Sequence, residues 1–264
     1  MISVDELESA GFNAWPAFQQ LLVAGWLLRF AEGYTKRANS ANFLYPSTTP
    51  LGQLVPWCEK LYTARNLPPI FRLVDRAETP PVDRFLAGRG YRATDPSVVL
   101  QCPMAQLQLP AGGSDTFTLC SLDTWMPIHA AASRAGAKAQ ELHRRILAQV
   151  MLPQVLGVIL ADGQAVACGM GSVDRGLFGL FDLVTHPAHR RRGYGTQLIA
   201  GLIGWARERG ATTCYLQVVQ DNHPARALYH KLGFREAYRY WYRVLPPAEN
   251  TGSAPADLQC ECTG

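Results

Sequence analysis

The chain lacks any long uninterrupted apolar segment. In 264 residues, no apolar run reaches the ~18 residues that a membrane-spanning helix requires. The amino terminus begins with an acidic segment, residues 1–8, whereas a secretory signal is basic and then apolar. These two absences argue against membrane and secreted classes and predict a soluble, cytoplasmic protein with no membrane partner.

Cysteine is present without a pattern that pairs or binds metal. The seven cysteines are odd in number and contain no Cys-x-x-Cys pair, so neither a disulfide framework nor a zinc site is indicated. Cys102, Cys120, Cys168 and Cys214 lie in apolar or strand-like runs, where we expect small buried side chains. We therefore expect a reducing compartment and no metal.

Strong net charge is also absent. The formal charge is +4, which is modest for this length. The only concentrated positive charge is Arg190 to Arg192; it is not repeated elsewhere and has no interleaved aromatic residues. We therefore expect no nucleic-acid partner.

Two common phosphate-binding loops are missing. No Gly-x-x-x-x-Gly-Lys-Ser/Thr string occurs in the chain, which excludes a P-loop. A dinucleotide fingerprint needs a third glycine three residues after the second, and Leu198 stands at that place. The pattern that remains is Arg-x-x-Gly-x-Gly, formed by Arg190, Gly193 and Gly195.

This glycine-rich stretch predicts a pyrophosphate cradle. Gly193 and Gly195 allow an anion to approach the main chain closely. An amphipathic helix follows, so its first unpaired N–H groups face the loop. The arginines can pair with phosphate oxygens, and a helix amino terminus favours anions. The alternative is a basic surface turn before a helix.

The order of elements indicates two units. We expect an N-terminal domain at 1–104, a linker at 105–115, a second domain at 116–245 and a disordered tail at 246–264. In the first domain the pattern predicts a helix (5–23), two strands (26–45), a helix (51–65), a strand (70–74), a helix (82–88) and a strand through 98–100. In the second it predicts a strand (116–120), helices (122–132 and 137–151), strands (155–161, 165–173 and 177–184), the cradle helix, a strand (213–219), a helix (224–232) and a strand (234–245).

A faint repeat relates the two units. The string KLGFREA at 231–237 echoes GRGYRAT at 88–94, and each follows a helix, a short strand and a second helix. In the first copy, residues 45–52 stand where the cradle should be and contain no arginine and one glycine. We interpret this as a duplication whose first copy lost its cofactor loop; the alternative is an unrelated N-terminal domain.

Two strings carry a family resemblance: FDLVTHPAHRRRGYG at 181–195 and NHPARALYHKLGF at 222–234. Together they resemble the GNAT superfamily of N-acetyltransferases, in a tandem form with a degenerate N-terminal GNAT-like unit. The resemblance implies an α+β fold (an α/β sandwich) with a central mixed, mostly antiparallel sheet flanked by helices, duplicated along the chain. It also implies acetyl-CoA as the acyl donor.

The same resemblance assigns the cofactor-binding residues. They are Leu183, Val184 and Thr185 in the strand, Arg190, Arg191, Arg192, Gly193, Tyr194, Gly195 and Thr196 in the loop and helix start, and Asn222, Ala225 and Tyr229 in the second string. In this family the strand splays, and its freed N–H groups would bind pantetheine and the developing oxyanion.

Tyr229 is the candidate general acid. Asn222 precedes it by seven residues, about two helical turns, so both would point to one side of a helix. A phenol of pKa ~10 can protonate a departing thiolate, whose thiol has a pKa of ~8.5, only when it is held close. The alternatives are a core aromatic beside Leu228 and Leu232, and, for Asn222, a helix N-cap.

Asp182 is the candidate general base. On a regular strand it would share a face with Phe178, Leu180 and Val184, where burial would raise its pKa toward a useful range. The alternatives are a structural carboxylate and a water chain in place of any single base. His186 and His189 are interpreted as loop residues.

One polar string in the first unit is unusual, GYTKRANSANF at 33–43. A merely structural strand does not require so many polar groups. One hypothesis is that Arg37 or Asn39 lines an acceptor pocket between the units; the alternative is a solvated edge strand.

The function predicted from these features is acetyl-CoA-dependent transfer of an acetyl group to a primary amine of a small molecule or peptide. The mild net charge does not choose among amines. Two alternatives stay open: a catalytically inactive acyl-CoA-binding or regulatory module, and a tandem acyltransferase similar to mycothiol synthase.

Overall fold

The computed structural model describes residues 2–109 and 117–246. In chain order these residues form α1 (Val4–Ala14), β1 (Gln19–Val23), β2 (Trp26–Phe30), β3 (Ala41–Phe43), α2 (Leu51–Thr63), β4 (Ile70–Val74), α3 (Thr79–Gly88), β5 (Arg92–Pro103), β6 (Phe117–Leu119), α4 (Leu122–Ser133), α5 (Ala137–Ala148), β7 (Gln154–Ala161), β8 (Gln164–Asp174), β9 (Leu177–Thr185), α6 (Tyr194–Arg207), β10 (Thr213–Val219), α7 (His223–Lys231) and β11 (Arg235–Val244). Short 3₁₀ turns lie at Lys36–Ala38, Met104–Gln106 and Pro187–His189. None of the helices formed by these residues combines the length and apolar character that crossing a bilayer would need.

The chain divides into two compact units. The cradle unit contains residues 2–16, 98–109 and 117–237, and the companion unit contains residues 17–97 and 238–246. In the cradle unit the strand order is β5-β10-β9-β8-β7-β6, with β9 and β10 parallel and β6 to β9 antiparallel. The predicted α+β class with mixed, mostly antiparallel sheets is confirmed.

Helices cover both faces of the cradle unit's sheet. On one face α6 packs on β7, β8 and β9, and on the other α1 and α4 pack on β8 and β9. Glycines let α6 approach closely: a Cβ at Gly157 would lie 3.0 Å from Leu202 Cδ2, and one at Gly169 would lie 3.1 Å from Leu198 Cδ2. These contacts hold the start of α6 against the sheet, which fixes the position of the predicted cradle.

The companion unit repeats part of this topology. Its strand order is β1-β2-β3-β4-β11, and β3 and β4 are parallel, as β9 and β10 are in the cradle unit. The succession β3-α2-β4-α3-β5 matches β9-α6-β10-α7-β11. The predicted duplication is therefore visible in the order and direction of the elements.

The last strand of each copy crosses from its own unit into the other. Residues 98–103 of β5 lie in the cradle unit, whereas β11 pairs with β4 from Tyr240–Val74 to Val244–Ile70 in the companion unit. Asp83 anchors β11 there: Arg243 Nε and Nη2 donate to its carboxylate at 2.8 and 2.6 Å. Helix α1 also lies in the cradle unit. The units therefore differ from the predicted division at 1–104 and 116–245, because strand pairing follows contacts that local patterning does not encode.

The predicted linker and tail fall partly outside the described residues. Residues 105–109 pack in the cradle unit, where the Gln108 N–H donates to Leu232 O at 3.0 Å. Residues 110–116 and 247–264 lie outside the described part of the chain.

The helix predicted over 5–23 is wrong in its second half. A capping box between Ser3 and Glu6 begins α1, which ends at Ala14, with Trp15 outside the helical region (φ −132°, ψ 72°). Pro16 explains the end, since the residue before a proline disfavours the helical region. The chain then forms β1, whose Val23 pairs with Trp26 across a tight turn through Ala24 and Gly25, both at positive φ.

Candidate active site

The strands β9 and β10 separate at one end of the cradle unit's sheet. Their parallel pairing runs from Leu177–Thr213 to Leu180–Leu216. Beyond this register β9 continues to Thr185 and β10 to Val219. The backbone of Leu183, Val184 and Thr185 therefore lies outside that pairing, in the place where the family resemblance implies a splayed strand.

A bulge in β9 redirects Asp182. The pairing of β8 with β9 changes register between Cys168 and Met170, and Asp182 has φ +50°. Phe178 and Leu180 belong to the hydrophobic cluster that includes residues of α6, but Asp182 points toward α5. The prediction that Asp182 shares their face is wrong, because an extra residue in a bulge breaks the alternation of a strand.

Asp182 is paired with a histidine. Its Oδ2 lies 2.9 Å from His143 Nε2, and their side chains are 6% and 2% exposed. The ring of His143 lies against Trp15 (5.3 Å between centroids) and, edge on, against His129 (4.8 Å). Asp182 is thus part of a buried cluster with two imidazoles and not an isolated carboxylate.

The predicted cradle is an open loop at a helix start. Gly193 caps α6 with φ +84°, and a Cβ added there would meet nothing within 4 Å. The first backbone hydrogen bond of the helix joins Gln197 N to Gly193 O at 3.1 Å. The N–H groups of Tyr194, Gly195 and Thr196 therefore precede the helical ladder, and the loop has room for an anion beside them.

Exposed arginines surround this loop. The side chains of Arg190, Arg191 and Arg192 are all exposed, and Arg191 has φ +64°. Arg190 Nε donates to the backbone oxygen of Thr185 at 3.4 Å, which ties the loop to the end of β9. Three positive charges and a helix amino terminus thus lie together, which favours a polyanion.

The cradle, the separated strand and α7 meet at Gly195. A Cβ at Gly195 would lie 3.7 Å from Thr185 Oγ1 and 3.9 Å from Leu228 Cδ2. Tyr229 follows Leu228 directly in α7. The structure therefore brings together three segments that sequence reasoning assigned to one site, although they are far apart in the chain.

Tyr229 is buried in the core of the cradle unit. Tyr229 is 5% exposed, and the centroid of its ring lies 6.0 Å from that of Phe234. Burial raises the pKa of Tyr229 well above its ordinary value, and the nearby Cys214 thiol adds to this. The phenol is therefore protonated at neutral pH, as a proton donor must be. The packing alternative holds as well, since Tyr229 and Leu232 share one hydrophobic cluster.

The remaining residues of the second string have local structural roles. Asn222 caps α7: its Oδ1 accepts from the Ala225 N–H at 3.2 Å, and Ala225 is buried.

The two histidines of the first string lie in the turn before the cradle. His186 caps this 3₁₀ turn, where its Nδ1 accepts from Ala188 N at 3.4 Å. His189 ends that turn, and its ring lies 5.7 Å from that of His186. The interpretation of both histidines as loop residues agrees with this placement.

A small apolar cavity opens beside β8. It measures about 280 Å³ and is bounded by α4, by Ala165 to Cys168 and by His186. Its walls are mostly aliphatic, and His186 follows directly on Thr185. The cavity therefore adjoins the end of the strand that bears Leu183 to Thr185, on the side of α4.

The string 33–43 forms a folded loop in place of a continuous strand. Asn39 is buried, and its amide uses both ends: Oδ1 accepts from Ala31 N (2.7 Å) and Gly33 N (2.9 Å), while Nδ2 donates to Tyr34 O and Thr35 O. The Arg37 carbonyl accepts from Arg29 Nη1 at 2.9 Å. Asn39 therefore fits neither the hypothesis of an acceptor-pocket residue nor that of a solvated edge strand, because its buried amide is hydrogen-bonded at both ends to nearby backbone groups.

Sequence reasoning missed His129 and His143. His143 follows Leu142 on the buried side of α5, in step with Ile146 and Leu147. A polar, titratable residue on an otherwise apolar helix face was the available signal. Nothing in the sequence indicated that His129, on α4, would lie beside it.

Known proteins are similar to this chain over most of its length. Residues 3–243 match the family model described as "Probable histone acetyltransferase Rv0428c C-terminal". The uncharacterized N-acetyltransferase YobR of Bacillus subtilis is 27% identical over 248 residues, which cover 92% of this chain and 99% of that protein. Both similarities span the two units.

Solved structures share the fold. A GCN5-related N-acetyltransferase from Kribbella flavida superposes with a TM-score of 0.69 at 19% identity and covers 94% of this chain and 98% of its own. A tandem GNAT protein from the clavulanic acid biosynthesis pathway superposes with a TM-score of 0.56 at 15% identity, over 92% of this chain and 89% of its own.

Proposed function

The chain belongs to the GNAT superfamily of acyltransferases, through the family matched over residues 3–243, and from this membership we propose that it is an acetyl-CoA-dependent N-acetyltransferase. The acceptor is a primary amine of a small molecule or a peptide. The resemblance predicted from residues 181–195 and 222–234, including its tandem form, is confirmed. The observation that supports the proposal most is the meeting, at Gly195, of the cradle, α7 and the end of β9 that lies outside the pairing with β10.

The residues at the cradle fit the diphosphate of a coenzyme. Amides of Tyr194, Gly195 and Thr196 would donate to its oxygens, and Arg190, Arg191 and Arg192 would add charge-assisted hydrogen bonds. The open side of Gly193 leaves space for the anion. The backbone of 183–185 and the cap residues Asn222 and Ala225 would hold the pantetheine arm.

Acetyl-CoA supplies an acyl group activated as a thioester. The amine nitrogen attacks the carbonyl carbon, a C–N bond forms, the C–S bond breaks and a thiolate leaves. We assign to Tyr229 the proton that the thiolate takes up, and to Asp182, paired with His143, the proton that the amine gives up. Backbone N–H groups at 183–185 would stabilise the negative charge on the carbonyl oxygen.

We also propose a cytoplasmic location. The described cysteines Cys58, Cys102, Cys120, Cys168 and Cys214 are free thiols, a state that a reducing compartment preserves.

Thiol release tests the activity. Purified protein and acetyl-CoA are incubated with a panel of polyamines, amino acids, aminoglycosides and peptide N-termini, and free coenzyme A is measured against a no-amine blank. Release that depends on one amine class supports the proposal. Binding of acetyl-CoA without release for any class would contradict it and favour an inactive acyl-CoA-binding module.

Tyr229→Phe tests the assigned acid. The variant removes one hydroxyl from the core, so we expect kcat to fall by about 10²-fold, the lower range for lost acid catalysis, with acetyl-CoA affinity unchanged. Tyr45→Phe, at an exposed tyrosine of the companion unit, is the control and should keep full turnover. An unchanged kcat in Tyr229→Phe would remove Tyr229 from the mechanism.

A further inference from the structure

Three side chains able to ligate a metal meet inside the cradle unit. His129 on α4, His143 on α5 and Asp182 on β9 each place a ligating atom within 4.8 Å of the others. Their side chains are buried: His129 is 8% and His143 1% exposed, and the Asp182 side chain is 6% exposed. Such a cluster needs a physical explanation, because three polar groups have been removed from water.

Hydrogen bonding explains only part of the cluster. His143 and Asp182 form a pair at 2.9 Å, but the buried Nδ1 of His129 has no hydrogen-bond partner among the described residues. A buried polar atom without a partner destabilises the fold, so such an atom is normally bound by a ligand, an ion or a water. The unpaired nitrogen belongs to the residue that completes the three-ligand set.

We propose that His129, His143 and Asp182 form a binding site for one divalent transition-metal ion of the zinc class. Two imidazole nitrogens and one carboxylate are a donor set that such ions prefer, whereas Mg²⁺ and Ca²⁺ prefer oxygen ligands alone. In a tetrahedral zinc site, bond lengths near 2.0 Å place ligand atoms about 3.3 Å apart. The present separations, from 2.9 Å to at most 4.8 Å, reach that value through small side-chain rotations.

The surroundings hold these ligands in place. The His129 ring stacks on Trp125 with centroids 4.8 Å apart and 14° between planes, and Trp125 Nε1 donates to Gly157 O at 3.3 Å. Trp15 lies against the His143 ring. Burial lowers the pKa of His129, which favours the neutral imidazole, the form that binds a metal. A site with fixed rings and a neutral ligand needs little rearrangement to bind an ion.

Occupation of the site would affect acetyl transfer. This consequence rests on the proposed function, in which Asp182 with His143 receives the amine proton. A bound metal would occupy both groups, so the ion would act as an inhibitor of transfer and not as its cofactor. Metal binding itself requires neither acetyl-CoA nor an amine and is therefore tested apart from activity.

Direct binding measurements test the site. Full-length, tag-free protein is treated with a chelator, dialysed and titrated with Zn²⁺ in equilibrium dialysis, and with Co²⁺ while visible absorption is recorded. We expect one ion per chain at the tightest site and a Co²⁺ spectrum of low coordination number. His129→Ala should weaken that site by at least about 10²-fold, since it removes one of three ligands.

Matched variants separate the site from surface binding. His186→Ala and His230→Ala remove histidines outside the cluster and should leave the tight site unchanged. His129→Gln preserves side-chain volume and polarity, so its loss of binding together with an unchanged melting temperature would exclude misfolding as the cause. Zinc that binds no more tightly to the parent than to His129→Gln would overturn the proposal, whether or not the protein acetylates an amine.

Discussion

Acetyl-CoA should raise the melting temperature of this protein, and a cradle variant should lose that effect. At a concentration 100 times its Kd, a ligand that binds only the folded state stabilises it by about 2.7 kcal/mol. For a chain of 264 residues, each kcal/mol raises the melting temperature by roughly 2–4 °C. The expected shift for the parent protein is therefore roughly 5–11 °C, which differential scanning fluorimetry measures directly.

The double variant Arg190→Glu, Gly193→Asp places two negative charges where we expect phosphate. A Cβ added at Gly193 would meet nothing within 4 Å, so the aspartate would extend into the open loop. One guanidinium can donate two charge-assisted hydrogen bonds to a phosphate. Losing both with Arg190, at about 1.5–3 kcal/mol each, weakens binding by about 10²-fold or more. At the same coenzyme concentration the remaining shift is then under about 2 °C.

A matched control carries the same substitutions elsewhere. Gly210→Asp with Arg92→Glu makes the same change in net charge at two exposed positions away from the cradle. Gly210 has φ +75°, as Gly193 has φ +84°, and a Cβ at either glycine meets nothing within 4 Å, so both variants carry the same backbone strain. This control should keep the full shift. An unchanged shift in the cradle variant, or a parent protein that acetyl-CoA does not stabilise, would refute the assigned binding loop.

Two further predictions concern stability. Gly201→Ala should destabilise the fold, because its Cβ would lie 2.3 Å from the Phe117 ring, whereas Gly204→Ala on the same helix, with nothing within 4 Å, should stabilise it by roughly 0.5–1 kcal/mol; urea melts that show no difference between the two would contradict the packing. Burial alone would raise the pKa of Asp83, but its hydrogen bonds with Arg243 prevail and hold that pKa below its ordinary value. Stability from this pair is present above the unfolded pKa of about 3.9 and is lost as pH falls through the lower folded pKa. As pH falls from neutral to acid, the free energy of unfolding should therefore decrease less in Asp83→Asn than in the parent protein. Equal decreases would contradict the pairing of Asp83 with Arg243.

Local sequence patterns predict much of the secondary structure. The strands at 70–74 and 213–219 match β4 and β10, since short runs of apolar residues bounded by turns and prolines define their own ends. The cradle helix begins at Tyr194, directly after Gly193, as the glycines and the apolar periodicity predict. These features depend on residues that are close in sequence.

Features that depend on distant contacts could not be predicted in this way. The bulge at Asp182 adds one residue to β9 and turns the carboxylate toward α5, which strict alternation along a strand does not foresee. The joining of His129 with His143 requires the packing of two helices. The pairing of β11 with β4 likewise joins residues that lie more than 150 positions apart in the sequence.

That pairing makes the two halves of the polypeptide dependent on one another. A fragment that stops at residue 109 leaves β4 without its antiparallel neighbour, and a fragment that starts at residue 117 leaves β10 without β5. The first repeat can lose its coenzyme-binding residues by substitution, as the absence of arginine from residues 45–52 illustrates. Deletion of the first repeat, in contrast, would remove β5 from the sheet that carries the candidate active site. Each half of the polypeptide therefore supplies a strand that the sheet of the other half uses.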